Sequence, residues 1–117
     1  MALQNVLFGT MLDAGASEIA TASMHTAAPG SDGSSEVSGG SYSRQSVSWK
    51  TASDGSIATS GEIQFAIPGG NTVTHLGLWS GDATPVWLGG LALSTQESYG
   101  ASGTYTVTSL VLDLANA

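Results

Sequence analysis

No cysteine occurs among the 117 residues, so the chain can hold neither a disulfide framework nor a thiolate nucleophile or thiolate metal site. Basic residues are nearly missing too. Arg44 and Lys50 stand against nine carboxylates, for a formal charge of -7 and a pI near 4.2. Such a surface repels phosphate and anionic lipid, which argues against nucleic-acid and membrane partners. No window approaches the ~20 apolar residues of a membrane span, and no basic segment followed by an apolar run marks a signal peptide. A soluble protein made in the cytoplasm is the expectation.

What the chain does have is glycine, 16 residues of it, alongside 41% hydrophobic and only 9% charged residues. That balance fits neither a disordered chain nor a bundle rich in Glu and Lys, and it implies many turns. The length fits one domain, residues 1–117, with a single packed core. Leu3, Val6, Leu7, Thr10, Met11 and Ala14 recur at the spacing of one helical face, so residues 1–15 predict an amphipathic helix with Gly15 as its C-cap. Its apolar stripe would cover the end of a β core or dock on another subunit. Ile19–Thr26 reads as a strand of small residues, stopped by Ala27-Ala28-Pro29-Gly30, and residues 27–41 form a long Gly/Ser loop.

Further strands are predicted over Tyr42–Trp49, Ile57–Ser60, Glu62–Ile67, Thr72–Trp79, Val86–Leu93 and Thr104–Leu114, with Asp54-Gly55 as the strongest hairpin signal. Gly77, Gly89 and Gly90 inside apolar strands mark bulges or close backbone approach. In the last segment Tyr105 and Val107 share one parity while Leu110, Leu112 and Leu114 share the other. That predicts a bulge near Ser109 or a crossing between sheets. The fold class expected is all-β: an antiparallel β-sandwich or jelly-roll-like module with one short N-terminal helix.

Residues able to do chemistry are few and scattered. His25 and His75 are the two imidazoles, without HxH, HExxH or other ligand spacing, and each reads as a structural histidine. No Gly-x-Ser-x-Gly elbow or phosphate-binding loop is present. Asp32, Glu36, Asp54 and Asp82 lie in loops without the dense spacing of a calcium site, so turn formation explains them better. Neither a catalytic group, a metal nor a cofactor is assigned. Trp49, Trp79 and Trp87 fit either a small core or, if exposed, a sugar-stacking surface; Trp79 and Trp87 lie in the most apolar strands. Arg44, at a strand start beside an acidic loop, pairs with Glu36 and pins the loop, or else points outward to a partner subunit.

Three blocks carry a family resemblance: Met24-His25-Thr26-Ala27-Ala28-Pro29-Gly30, the run Glu36-Val37-Ser38-Gly39-Gly40-Ser41-Tyr42-Ser43-Arg44-Gln45, and Thr74-His75-Leu76-Gly77-Leu78-Trp79. The chain resembles small bacteriophage structural proteins described as tail-fibre-like, with the pattern L-H-T-A-D-P-G, E-V-x-G-G-x-Y-x-R-Q and V-T-H-x-G-L-W. Met24 replaces the usual Leu, and Ala28 stands where Asp is common, which removes a carboxylate from that turn. The resemblance implies a non-enzymatic virion component, tail- or fibre-associated or a capsid decoration. It would be a homo-oligomer attached to other virion structural proteins. A carbohydrate-binding module for host attachment, contacting a surface glycan, is the alternative. His25, Glu36, Tyr42, Arg44, Trp49 and His75 are the structural or interface candidates.

Overall fold

The computed structural model describes residues 4–114, beginning with helix α1 (Asn5–Glu18). Eight strands follow: β1 (Ile19–His25), β2 (Gln45–Ser46), β3 (Ser56–Ala58), β4 (Ile63–Ile67), β5 (Asn71–Ser80), β6 (Trp87–Tyr99), β7 (Gly103–Val107) and β8 (Val111–Asp113). All pairings are antiparallel. They form a four-stranded sheet in the order β2-β1-β5-β6 and two ribbons, β4-β7 and β3-β8. The architecture is therefore an all-β, sandwich-like fold with one short N-terminal helix.

Strand alternation decides which residues meet. Ala22 and Met24 of β1 and Leu76 and Leu78 of β5 join Ile63, Phe65 and Ile67 of β4 in one buried cluster, so the β4-β7 ribbon covers one face of the four-stranded sheet. Residues of the other parity, among them Ser23, His25, Gly77, Trp79 and Trp87, lie on the opposite face. In place of a second sheet, that face carries residues 26–36 and Arg44, while the chain between them turns round the edge of β1 so that Val37 and Tyr42 join the core beside Phe65. The loop is thus a folded layer: Thr26 N–H bonds Ser35 O, Val37 N–H bonds Met24 O, and Val37 is buried.

Several sequence expectations are corrected. The helix runs on through Gly15 to Glu18, and Gly15 has no left-handed φ, so it is not a cap. Phe8, Leu12 and Ala16 form the buried face, with Leu12 and Ala16 packing on Ile57 and Phe8 beside Gly55, whereas Val6 is 83% exposed and Met11 46%. Leu3, the first residue of the predicted stripe, lies outside the described residues. Phe8 was not part of that stripe, yet its large ring turns inward. The strand expected over Tyr42–Trp49 shrinks to Gln45–Ser46 plus a bridge from Trp49 to Thr59, because Tyr42 and Arg44 turn in to bond the loop. β6 continues to Tyr99, past Leu93 where the predicted strand ends, with register shifts between Val73 and His75 and between Leu78 and Trp79 of its partner β5.

Other features lie where the pattern puts them. Asp54 (φ 51°) and Gly55 (φ 79°) turn a tight hairpin closed by the mutual Ser53–Ser56 backbone bonds. The change of parity near Ser109 is a crossing between layers. β7 pairs with β4, the chain steps across at Thr108–Leu110, and β8 pairs with β3. Thr59 Oγ1 accepts the Leu110 N–H and Thr59 N–H bonds Leu110 O, which fixes the step.

Gly77 shows how tightly the loop-covered face is packed. A Cβ there would clash with the Trp87 ring and lie 2.6 Å from His25 Nε2 and 2.6 Å from Ser23 Oγ. Gly77→Ala is therefore expected to destabilise the protein by about 1–3 kcal/mol, the ordinary cost of overpacking. By contrast Gly9, inside α1 with open space at its Cβ, should gain about 0.5–1 kcal/mol as Gly9→Ala. Denaturant unfolding of both variants checks the contrast.

Candidate functional site

The residues bearing the three sequence blocks, far apart along the chain, meet on the loop-covered face. Glu36 forms an antiparallel bridge with His25 at the edge of β1, which aims its side chain across that face. Arg44 answers with two bonds, Nε to Oε2 at 3.1 Å and Nη2 to Oε1 at 2.9 Å. This is the paired, planar geometry that favours arginine over lysine. The guanidinium also lies 3.7 Å over the Trp79 ring, a cation–π contact. Tyr42 completes the group: its hydroxyl donates to Glu36 Oε2 at 2.9 Å and accepts the Met24 N–H at 2.9 Å, so the phenol substitutes for a missing neighbouring strand.

Behind this pair lies a buried relay. Trp79 Nε1–H donates to Ser23 Oγ at 2.8 Å, and Ser23 Oγ lies 2.7 Å from His25 Nε2, whose Nδ1 is 2.8 Å from Ser34 O. A carbonyl can only accept, so Nδ1 carries the proton. Nε2 then accepts from the Ser23 hydroxyl, and one neutral tautomer satisfies the chain. Trp87 closes the cluster edge-on to both His25, at 5.4 Å, and Trp79, at 5.1 Å. Gly33 of the loop packs on the two indoles, where its backbone (φ 77°) leaves no room for a side chain, and Pro29 lies against Gly90.

The charges follow from this packing. Burial pushes the Glu36 carboxyl up, but the Arg44 and Tyr42 hydrogen bonds and the Arg44 charge outweigh it and hold the group below its ordinary range. The bond to Glu36 raises Arg44, and burial drives the Tyr42 phenol far up, out of reach of ordinary titration. His25 is shifted down, chiefly by burial. The carboxylate of Glu36, the Tyr42 hydroxyl, both His25 nitrogens and the Trp79 N–H are each bound within the chain, and Arg44 is bound through Nε and Nη2. The arrangement holds structure and presents no nucleophile, base or ligand set to a substrate.

The remaining candidates lie apart. His75 pairs with His25 across the β1–β5 ladder, but its Nδ1 bonds the neighbouring Thr74 Oγ1 at 2.8 Å, so the two imidazoles share no ligand. Trp49 sits half-buried against α1 with its Nε1 buried and unpartnered among the described residues. Asp32 Oδ1 accepts the Ser34 N–H and Asp82 Oδ2 accepts the Ser80 hydroxyl, each serving its own turn. Among the described residues no three potential ligands converge as a metal site would need, and no helix is long and apolar enough to cross a membrane. Sequence reasoning missed Ser23, Ser34 and Gly33. Gly77 and Gly90, glycines in apolar strands, signalled the crowding.

Two measurements test the assignment. Tyr42→Phe leaves the Met24 N–H without its partner and removes a donor from Glu36, at an expected cost of about 1–3 kcal/mol. For His25, a folded-state value below the ordinary 6.5 means that the unfolded chain binds the proton first. Its contribution to stability is then complete above pH 6.5 and is lost progressively as pH falls below that value. Melting temperature against pH should decline from there, with Glu36 adding a second loss below its ordinary 4.5. A His25→Gln variant should flatten the upper part of the curve.

Comparison with known proteins agrees with the resemblance seen in the three blocks. No curated protein and no solved structure matches the chain significantly. The model of the family described as podophage GP4 fiber I protein gp80 matches residues 2–115, and the chain therefore belongs to this family of phage fibre proteins.

Proposed function

We propose that the protein is a fibre-associated structural subunit of the tail, carried in several copies on the virion and acting through protein–protein surfaces without catalysis. The observation that carries this reading is the internal closure of the Glu36–Tyr42–Arg44–His25–Trp79 group. These polar groups bond the covering loop to the sheet, as suits a subunit whose role is structural. Membership of a fibre family favours the tail over a capsid decoration. Its acidic surface suits basic partner surfaces on neighbouring virion proteins.

A host-glycan contact is the second reading, and one feature favours it. Trp49 borders a shallow surface pocket of about 270 Å³ that also presents Asp13, Ser17, Lys50 and Thr51. An indole flanked by polar groups is the composition that sugar rings bind.

Antibody labelling of purified particles, read by electron cryo-microscopy, tests the first reading. Several copies at the tail are the expected result, copies spread over the capsid would move the assignment to decoration, and no copies in the particle would overturn it. Binding to a glycan array that is lost in Trp49→Ala, with the fold retained, would establish the second.

A further inference from the structure

Helix α1 turns one apolar strip outward. Leu7 and Met11 are 44% and 46% exposed, and Gly15 follows one turn later with open space at its Cβ. Met11 and Gly15 also border a groove of about 400 Å³ whose other wall is Leu88, Leu112 and Leu114. In a chain of charge -7 this patch is nearly neutral: residues 1–12 and 83–96 carry no charge at all. Of the helix's two acids, Asp13 is turned to the other flank, where Oδ1 accepts the Ala52 N–H, and only Glu18 borders the strip.

The helix's own charges run against its dipole. No side chain caps the first turn and no acid lies in it, while Glu18 ends the helix at its negative pole with no base in the last turn. A second copy laid antiparallel reverses both faults. We propose that two copies of this chain associate through α1, antiparallel about a two-fold axis at Met11. Leu7 and Gly15 lie equally far on either side of Met11, as do Gln4 and Glu18. Each Leu7 ridge therefore meets the Gly15 gap of the other copy, and each Glu18 comes to the uncapped helix start of the other. Met11 of one copy contacts Met11 of the other, beside two merged apolar grooves. The inference specifies the self-contact within the multi-copy reading above and rests on it.

The absence of cysteine makes the test clean. Full-length Met11→Cys and Val6→Cys variants are compared under mild oxidation; Val6 lies on the same helix but the other flank, and is far more exposed. Pairing at the axis holds the two Met11 positions together at high effective concentration. The Met11→Cys variant should then form a covalent dimer faster by on the order of tenfold or more. Equal or faster coupling at Val6 would overturn the proposal. Independently, light scattering should find the wild type dimeric. Met11→Glu and Met11→Lys should each be monomeric with unchanged circular dichroism, and mixing them should restore a dimer. A monomeric wild type, or a dimer indifferent to both substitutions, also overturns it. Either of those results, with the protein still found on particles, would leave the fibre assignment standing.

Discussion

A sheet face bearing two indoles and an imidazole must be shielded from water, and here the shield is a stretch of Gly, Ser and acidic residues with almost no hydrophobicity of its own. The Glu36–Arg44 ion pair makes that possible. It joins the middle of the loop to its C-terminal end and lays a flat cation on Trp79, while Tyr42 ties the same carboxylate to the backbone of β1. Half-exposed pairs contribute little when isolated. This one also accepts the Tyr42 hydroxyl and lies on the Trp79 ring, a setting in which cooperative hydrogen bonding strengthens each member. Remove the carboxylate, and Arg44, Tyr42 and the covering loop lose their common attachment at once.

The sequence made some of this legible for identifiable reasons. β4 and β5 were readable because alternation and continuous apolar runs record burial directly. The Glu36–Arg44 contact was readable because a chain with two cations leaves few choices. Other features depended on contacts distant in sequence. That Tyr42 and Arg44 would leave the β2 ladder to bond a loop could not be read from their alternation. The inward face of α1 was decided by Leu12 and Ala16 against Ile57, a partner roughly forty residues away. The extension of β6 through Ser94–Tyr99 follows from pairing with β5, which overrides the polarity of those residues.

The three blocks that carried the family resemblance are the parts brought together beneath and around the loop, so they mark how this fold is held and not what it touches. Surface features that could distinguish one fibre protein from another lie elsewhere: on the outward strip of α1, beside Trp49, and along the open rim of β6. A fold signature and a recognition surface are separable here because the first is almost wholly occupied with internal contacts.

The β1–β5 register carries a consequence for biosynthesis. β1 and the covering loop emerge from the ribosome well before Trp79 and Trp87, the surface on which the loop must lie, and β1 has only two residue pairs with β2 to occupy it meanwhile. The first third of the chain therefore cannot reach its final form before β5 and β6 have been made. Folding awaits the later strands and proceeds through long-range pairings, the slow regime for small β proteins.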